Sequence, residues 1–277
     1  MDRTADPCED FYQYTCGNWI KKHPLPAAAT LSSWDLSEVV RSLRQELGPP
    51  FSSSTADAAF AQFNVLEPAF WTAFNDWLIG LLNPPFFSPN WPASVNYGSI
   101  GHIVGHELTH AFDNDGVLWD PVGAYKTWMD EASHASFKRR AQCFVEQYEE
   151  FCYHRANWTE DNCVQGNLTL GENIADNGGI KAAYLAYRSR SNLLASPEPR
   201  LPGPMQSFSQ DQLFFLAFAR YYCWNPSTAA LKLQLRDAHA PNRERVQGTL
   251  ANFPAFARAF KCPKGSGLNP VRRCSVW

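Results

Sequence analysis

The sequence predicts a mainly helical protein. Beyond the first third of the chain, helical periodicity is broken by glycine and proline, and no alternation of apolar and polar residues persists long enough for a large sheet. The chain has 277 residues, 45% of them hydrophobic, so it can bury a sizeable core in one large domain or two small ones. Helices are predicted over residues 100–112, 128–148, 172–188, 209–223, 228–235 and 252–260.

The first part of the chain has a different composition from the rest. Residues 1–47 contain two cysteines, an aromatic run, FYQY, and an amphipathic stretch, DLSEVVRSLRQEL, predicted to form a helix that ends at a Gly-Pro-Pro sequence. Residues 48–83 include a Ser/Ala-rich stretch, FSSSTADAAFAQ, typical of a linker or a poorly specified segment. Residues 84–277 form the third and largest region.

Charge and hydropathy exclude some classes of partner. The formal net charge is -3 and the basic residues are scattered, so no nucleic-acid partner is expected. The first residues, MDRTADPCED, have no apolar run, and the most apolar later stretch, LFFLAFA, is too short to span a bilayer. We therefore expect neither a signal peptide nor a membrane segment in this chain.

Cysteines and sequons point to an oxidising compartment. The eight cysteines are widely spaced and none forms a C-x-x-C pair, which favours four disulfides over a structural zinc site. Asn157-Trp158-Thr159 and Asn167-Leu168-Thr169 are glycosylation sequons. An extracellular or cell-surface location is expected, and it agrees with the absence of a signal peptide if the chain is a shortened form of a longer protein.

The stretch GHIVGHELTHAFDND contains the pattern H-E-x-x-H at His106, Glu107 and His110. Residues four apart lie on one face of a helix, so both imidazoles can reach a single Zn²⁺, while Glu107 points into the cleft beside them as a general base. By chance the pattern occurs in roughly one chain in a hundred of this length, on a surface helix without a metal.

A catalytic zinc site needs a third protein ligand and an open fourth position. The metzincin pattern is excluded because Asp113 and Gly116 stand where it requires glycine and histidine. Glu172 in NLTLGENIADNGG is the better candidate: it opens a predicted helix, with Asp176 one turn later to accept an imidazole N–H. The alternative is that both carboxylates only favour the positive end of a helix.

HELTHAFD followed by GENIADNGG closely resembles the neprilysin and endothelin-converting enzyme family of zinc endopeptidases. DPCEDFYQYTCGNW, NPPFFS, SVNYGSIG and the final CPKGSGLNPVRRCSVW resemble other segments of that family, so the resemblance covers about residues 6–40 and 84–277. It implies a thermolysin-like zinc-peptidase catalytic domain that acts on peptides. It also implies that most of the family's helical roof domain is missing, and that full-length members are usually membrane-anchored.

The resemblance also implies roles for individual residues. One zinc ion per chain is bound by His106, His110 and Glu172, and Glu107 acts as general base. RDAHAPNRERVQG matches the stretch that supplies an oxyanion-stabilising histidine, His239, and a substrate-positioning arginine, Arg245. Further residues are implied to orient those groups or to line the pocket for the residue after the cleaved bond, namely Asp113, Asp176 and Asp237 for orientation and Phe86, Ile103 and Tyr222 for the pocket.

The same resemblance implies the disulfide pairing. The expected pairs are Cys8–Cys262, Cys16–Cys223, Cys143–Cys274 and Cys152–Cys163.

The sequence departs from the family pattern in three places. AFNDWLIGLL replaces the Asn-Ala-x-Tyr strand that aligns substrate, no basic residue lies near Thr30, and His102 occupies a position that is usually apolar.

The leading hypothesis is a zinc endopeptidase for short extracellular peptides. Two alternatives remain open at this point, namely a catalytically impaired form that acts as a binding or decoy domain, and a fragment that does not fold. The intact zinc motif favours the enzyme, whereas the lost strand and roof favour the alternatives.

Overall fold

A computed structural model of the chain describes residues 1–22, 81–120, 123–126, 128–153, 162–193, 198 and 200–276. Within these residues the fold is mainly helical, as predicted. The helices are α1 (Phe11–Lys22), α2 (Ala93–Asn96), α3 (His102–His110), α4 (Glu131–Glu149), α5 (Leu170–Leu193), α6 (Gln210–Tyr221), α7 (Thr228–Gln234), α8 (Asn242–Ala251) and α9 (Pro254–Phe260). A π-helical turn, Tyr97–Gly101, leads into α3, and two 3-10 turns span Gly116–Leu118 and Gly203–Ser207. Strands β1 (Cys152–Tyr153) and β2 (Asn162–Cys163) form an antiparallel pair in which Cys152 faces Cys163.

Each of the six later helices predicted from periodicity is present as α3, α4, α5, α6, α7 or α9, with ends shifted by a few residues. Helices α1, α2 and α8 were not predicted. The helix predicted for 35–47, Thr30, most of the 48–83 segment and most of AFNDWLIGLL lie outside the described residues. No helix in the described ranges is long and apolar enough to cross a membrane.

The apolar stretch LFFLAFA forms the centre of the main core. It lies in α6, which begins at a capping box where Ser209 and Gln212 satisfy each other's backbone N–H groups. Phe214, Phe215 and Phe218 are fully buried there. Phe11 of α1 packs edge-on against Phe256 of α9 in the same cluster, so the first helix of the chain belongs to this core.

All four predicted disulfides are present. Cys8–Cys262 and Cys16–Cys223 join the N-terminal segment to the end of α9 and of α6, Cys143–Cys274 joins α4 to the C-terminal segment, and Cys152–Cys163 closes the β-hairpin. Three of the four bridges span more than a hundred residues of sequence. The pairing implied by the family resemblance is confirmed.

Helices α3 and α5 cross at glycines. A β-carbon on Gly105 would lie 2.7 Å from the carbonyl oxygen of Gly179, and one on Gly179 would lie 2.6 Å from the backbone nitrogen of His106. Only glycine permits two helix backbones to approach this closely. The crossing brings the face of α5 that carries Glu172 and Asp176 against the histidines of α3.

Candidate metal centre

Three predicted zinc ligands converge where α3 meets the start of α5. The Nε2 atoms of His106 and His110 are 3.0 Å apart. The carboxylate of Glu172 places one oxygen 3.2 Å from His106 Nε2 and the other 3.5 Å from His110 Nε2. Two ligands bound to one zinc ion at tetrahedral angles are about 3.4 Å apart, so these separations fit a single ion.

A carboxylate binds the other nitrogen of each imidazole. His106 Nδ1 lies 2.9 Å from Asp176 Oδ1, and His110 Nδ1 lies 2.7 Å from Asp113 Oδ2. The second oxygen of Asp113 accepts the backbone N–H groups of Asp115 and Gly116, which fixes its orientation. Because each Nδ1 donates its hydrogen to a carboxylate, each Nε2 of a neutral ring is a bare acceptor.

Three acceptors therefore face one another, two imidazole nitrogens and the carboxylate of Glu172. Glu172 Oε2 is buried and has no hydrogen-bond donor among the described residues that satisfies normal geometry. Such a set is stable only around a positive charge. The donor set, two nitrogens and one carboxylate with both rings oriented from behind, fits zinc.

The pKa values of the site residues also indicate that the site favours a positive charge. Burial lowers the pKa of His106, but the adjacent carboxylates of Asp176 and Glu172 outweigh it and raise the pKa to about 9. Burial opposes ionisation of Glu172, yet the adjacent imidazoles of His106 and His239 hold its pKa well below the usual range. The surrounding carboxylates thus stay ionised and stabilise a cation.

Asp176 lies at the centre of the surrounding hydrogen bonds. It is fully buried, and Arg245 of α8 binds both its oxygens at 2.7 Å. Burial opposes ionisation of Asp176, but the Arg245 guanidinium holds its pKa well below the usual value. The Tyr222 hydroxyl lies 3.2 Å from the oxygen that also faces His106. Arg245, which was predicted to position substrate, therefore binds Asp176. Its guanidinium also lies 3.7 Å from Glu172 Oε2.

His239 lies beside Glu172, as a residue of the site requires. Its Nε2 is 3.1 Å from Glu172 Oε2, and its Nδ1 is 2.8 Å from Asp237 Oδ1. The adjacent carboxylate of Glu172 is the main cause that raises the pKa of His239. The side chain of His239 is 47% exposed.

Comparison with known proteins agrees with this geometry. A sequence model described as peptidase family M13 matches residues 69–276, and a second model with the same description matches residues 7–72. The chain belongs to peptidase family M13. The predicted resemblance to neprilysins and endothelin-converting enzymes is confirmed by curated relatives with those names.

Neprilysin-11 of Caenorhabditis elegans is 41% identical over 234 residues, which are 84% of this chain and 27% of that protein. An endothelin-converting enzyme homolog of Locusta migratoria is 47% identical over 72% of this chain and 26% of its own length. The zinc metalloprotease Zmp1 of Mycobacterium tuberculosis, solved in complex with an inhibitor, has a TM-score of 0.64 and 32% identity over 72% of this chain and 30% of that one. This M13 chain thus spans about a quarter of the length of the curated relatives it matches.

The remaining predicted residues lie around the same helix. Glu107 is half-buried on α3, next to His106. Phe86 is half-buried and packs edge-on against Tyr221, with ring centroids 5.4 Å apart, whereas Ile103 is buried in α3. Tyr222, predicted to line a pocket, is buried, and its hydroxyl is directed into the hydrogen bonds of Asp176.

Sequence reasoning noted His102 only as a departure from the family pattern. The structure buries it on α3 with its Nε2 atom 3.0 Å from the Tyr222 hydroxyl and 3.6 Å from Asp176. Burial lowers the pKa of His102 from its usual value. The available signal was its position, one helical turn before His106 and so on the same face of α3.

Proposed function

We propose that this chain is the catalytic part of a zinc-dependent metalloendopeptidase that hydrolyses short extracellular peptides. The observation that carries the proposal is the convergence of His106, His110 and Glu172 within 3.0–3.5 Å of one another, with both histidines oriented by carboxylates. The relatives named as neprilysin, endothelin-converting enzyme homolog and zinc metalloprotease support it.

When bound, the zinc ion supplies Lewis-acid polarisation of the substrate carbonyl and makes water nucleophilic near neutral pH. In this proposal the zinc ion would be bound by His106, His110 and Glu172. The Glu107 carboxylate accepts a proton from the attacking water and delivers it to the leaving amide nitrogen.

His239 is proposed to stabilise the negative charge that develops on the carbonyl oxygen. Asp237 binds its Nδ1 and also accepts its backbone N–H, so the ring is fixed in orientation. A donor oriented in this way typically contributes about a hundredfold or more to the rate. Arg245 supports the site by neutralising Asp176, and a contact of Arg245 with substrate stays a prediction.

We also propose that the protein functions outside the cell or on its surface, because four disulfides persist in oxidising compartments. The proposed function is tested with the purified, disulfide-bonded chain. Elemental analysis should find one zinc per chain, and a quenched peptide should be cleaved in a reaction that chelators and phosphoramidate inhibitors abolish. A folded, zinc-loaded protein that cleaves none of a broad set of peptides would refute the catalytic proposal.

A further inference from the structure

His102 is a buried polar residue that the proposed mechanism does not use. Its side chain is 2% exposed, and its ring packs edge-on against Phe218 with centroids 4.6 Å apart. Buried polar groups are nearly always hydrogen-bonded, because an unpaired one is costly. The bonds that His102 makes therefore indicate what it does.

The hydrogen bonds of Asp176 determine the direction of the Tyr222 hydroxyl. Asp176 can only accept, since Arg245 binds both of its oxygens and keeps it a carboxylate. The single hydrogen of the Tyr222 hydroxyl must therefore be directed toward Asp176 Oδ1, 3.2 Å away. The Tyr222 oxygen then presents a lone pair to His102 Nε2 at 3.0 Å. The hydrogen between these two atoms belongs to His102.

The other nitrogen of the His102 ring agrees with this assignment. Nδ1 is buried and has no hydrogen-bond partner among the described residues. Buried N–H groups without a partner are rarer than buried acceptors without a donor, so the bare nitrogen is Nδ1. Both observations select the tautomer with hydrogen on Nε2.

We propose that His102 is a positioning residue that acts on the zinc ligand His106 through Tyr222 and Asp176. His102 donates to the Tyr222 oxygen, and Tyr222 donates to the same Asp176 oxygen that accepts the hydrogen of His106 Nδ1. Hydrogen bonds arranged in one direction strengthen one another. His102 thereby fixes the carboxylate that orients His106, and the metal affinity of the site depends on it.

A direct metal-binding role for His102 fits the contacts less well. Ligand atoms of His102, His106 and Asp176 lie within 4.8 Å of one another, so the spacing alone would allow an ion. However, Arg245 already occupies both oxygens of Asp176 and contributes a positive charge there. A metal ion in the same place would face that guanidinium, which opposes binding.

Substitutions at His102 separate hydrogen bonding from packing. His102→Gln keeps an N–H donor near the position of Nε2, whereas His102→Leu keeps the bulk and removes the donor. Phe218→Leu is the matched control, because it reduces the packing against the ring and leaves the hydrogen bonds in place. Tyr222→Phe interrupts the same series of bonds at its next member. Zinc affinity is measured by competition with a chelator on the folded fraction of each variant.

We expect His102→Leu and Tyr222→Phe each to weaken zinc binding about tenfold, and the double variant to be no weaker than either alone. His102→Gln should bind zinc within about twofold to threefold of the unsubstituted protein, and Phe218→Leu should lose stability and keep its zinc affinity. Unchanged zinc affinity in folded His102→Leu, or additive losses in the double variant, would overturn the proposal.

The inference rests on the proposed zinc site. A second measurement, which does not depend on metal binding, therefore tests the tautomer of His102 separately. The ¹⁵N chemical shifts of His102 in the metal-free protein should show a bare Nδ1 and a protonated Nε2. A protonated Nδ1 would refute the proposal. This measurement uses the unsubstituted protein, so it remains decisive even when His102→Leu fails to fold. Failure of the unsubstituted protein to bind zinc would instead refute the proposed function.

Discussion

Gly105 in α3 and Gly179 in α5 are in backbone contact: a β-carbon on Gly105 would lie 2.7 Å from the Gly179 carbonyl oxygen. Glu172, Asp176 and Gly179 follow one another at helical spacing, so they occupy one face of α5. The depth of this crossing therefore sets how far the two carboxylates reach toward His106.

Gly179→Ala should push α5 away from α3 and weaken zinc binding. The added methyl group would meet the backbone nitrogen of His106 at 2.6 Å, and overpacking of this kind typically costs about 1–3 kcal/mol. Gly101→Ala is the control: it also lies in a helical turn, but its β-carbon would have nothing closer than 3.5 Å. Urea denaturation and zinc titration should show a loss for Gly179→Ala alone, and equal behaviour of the two variants would contradict the role of the crossing.

Glu107→Gln should keep zinc and lose turnover. The three ligands are unchanged in this variant, whereas the amide cannot accept a proton from the attacking water, so the rate should fall by about a hundredfold or more. Glu172→Ala should instead lose the metal, because it removes a ligand. Zinc content and peptide cleavage are measured on both variants, and near-normal turnover in Glu107→Gln would exclude it as the general base.

Asp176→Asn should weaken zinc binding about tenfold to a hundredfold and lower stability. Arg245 is 11% exposed and would lose its charged partner, which typically costs about 3–5 kcal/mol for a buried pair. Adding Arg245→Met should recover part of the stability, since the unpaired charge is gone, but not the zinc affinity. Recovery of both properties in the double variant would show that Asp176 acts only on Arg245.

Loss of a long-range disulfide should cost more stability than loss of the short one. Replacing Cys143 and Cys274 by serine opens a loop with a sequence separation of 131, whereas Cys152 and Cys163 are separated by 11. In the chain-entropy model the long bridge contributes about 5 kcal/mol and the short one about 3 kcal/mol. Denaturation of the two double-serine variants tests the order, and a larger loss for the hairpin bridge would contradict it.

Glu244 should make stability fall as pH rises above its ordinary pKa. Burial raises its pKa above the usual 4.5, and this exceeds the opposing effects of Tyr153 and Arg243. The folded state therefore holds this proton more tightly than the unfolded chain, so its contribution is present below pH 4.5 and is lost as pH rises through the folded pKa. Relative to Glu244→Gln, the metal-free protein should be less stable at pH 7.5 than at about pH 4.5, and a difference independent of pH would contradict the raised pKa.

Local pattern was enough to predict much of the fold. The pattern of apolar residues predicted α3, α5 and α6, and in α6 the buried residues from Leu213 to Ala219 form an unbroken apolar run. It did not predict α8, which begins with the polar sequence NRER yet buries residues around its whole circumference, including Glu244, Gln247 and Thr249. A buried helix that carries polar side chains has neither an apolar stripe nor an apolar run to recognise.

The zinc motif shows how far sequence reached into the site. Spacing by four residues placed His106 and His110 on one face of α3, and the same spacing related Glu172 to Asp176 on α5. Those pairs are local, so the sequence by itself determined them. The family resemblance added the four disulfide pairs and the role of His239. Local spacing does not predict them, because the partners in three of the disulfides, and His239 and Glu172, lie far apart along the chain.

Tertiary structure alone decided how the hydrogen bonds of the site are shared. His102 on α3, Tyr222 at the end of α6 and Arg245 on α8 all meet Asp176 of α5. No helical period relates residues on four separate elements, so their meeting depends on the packing of α3, α6 and α8 around α5. That packing in turn requires the contact between Gly105 of α3 and Gly179 of α5. Neither segment alone indicates which glycine of the other helix it contacts.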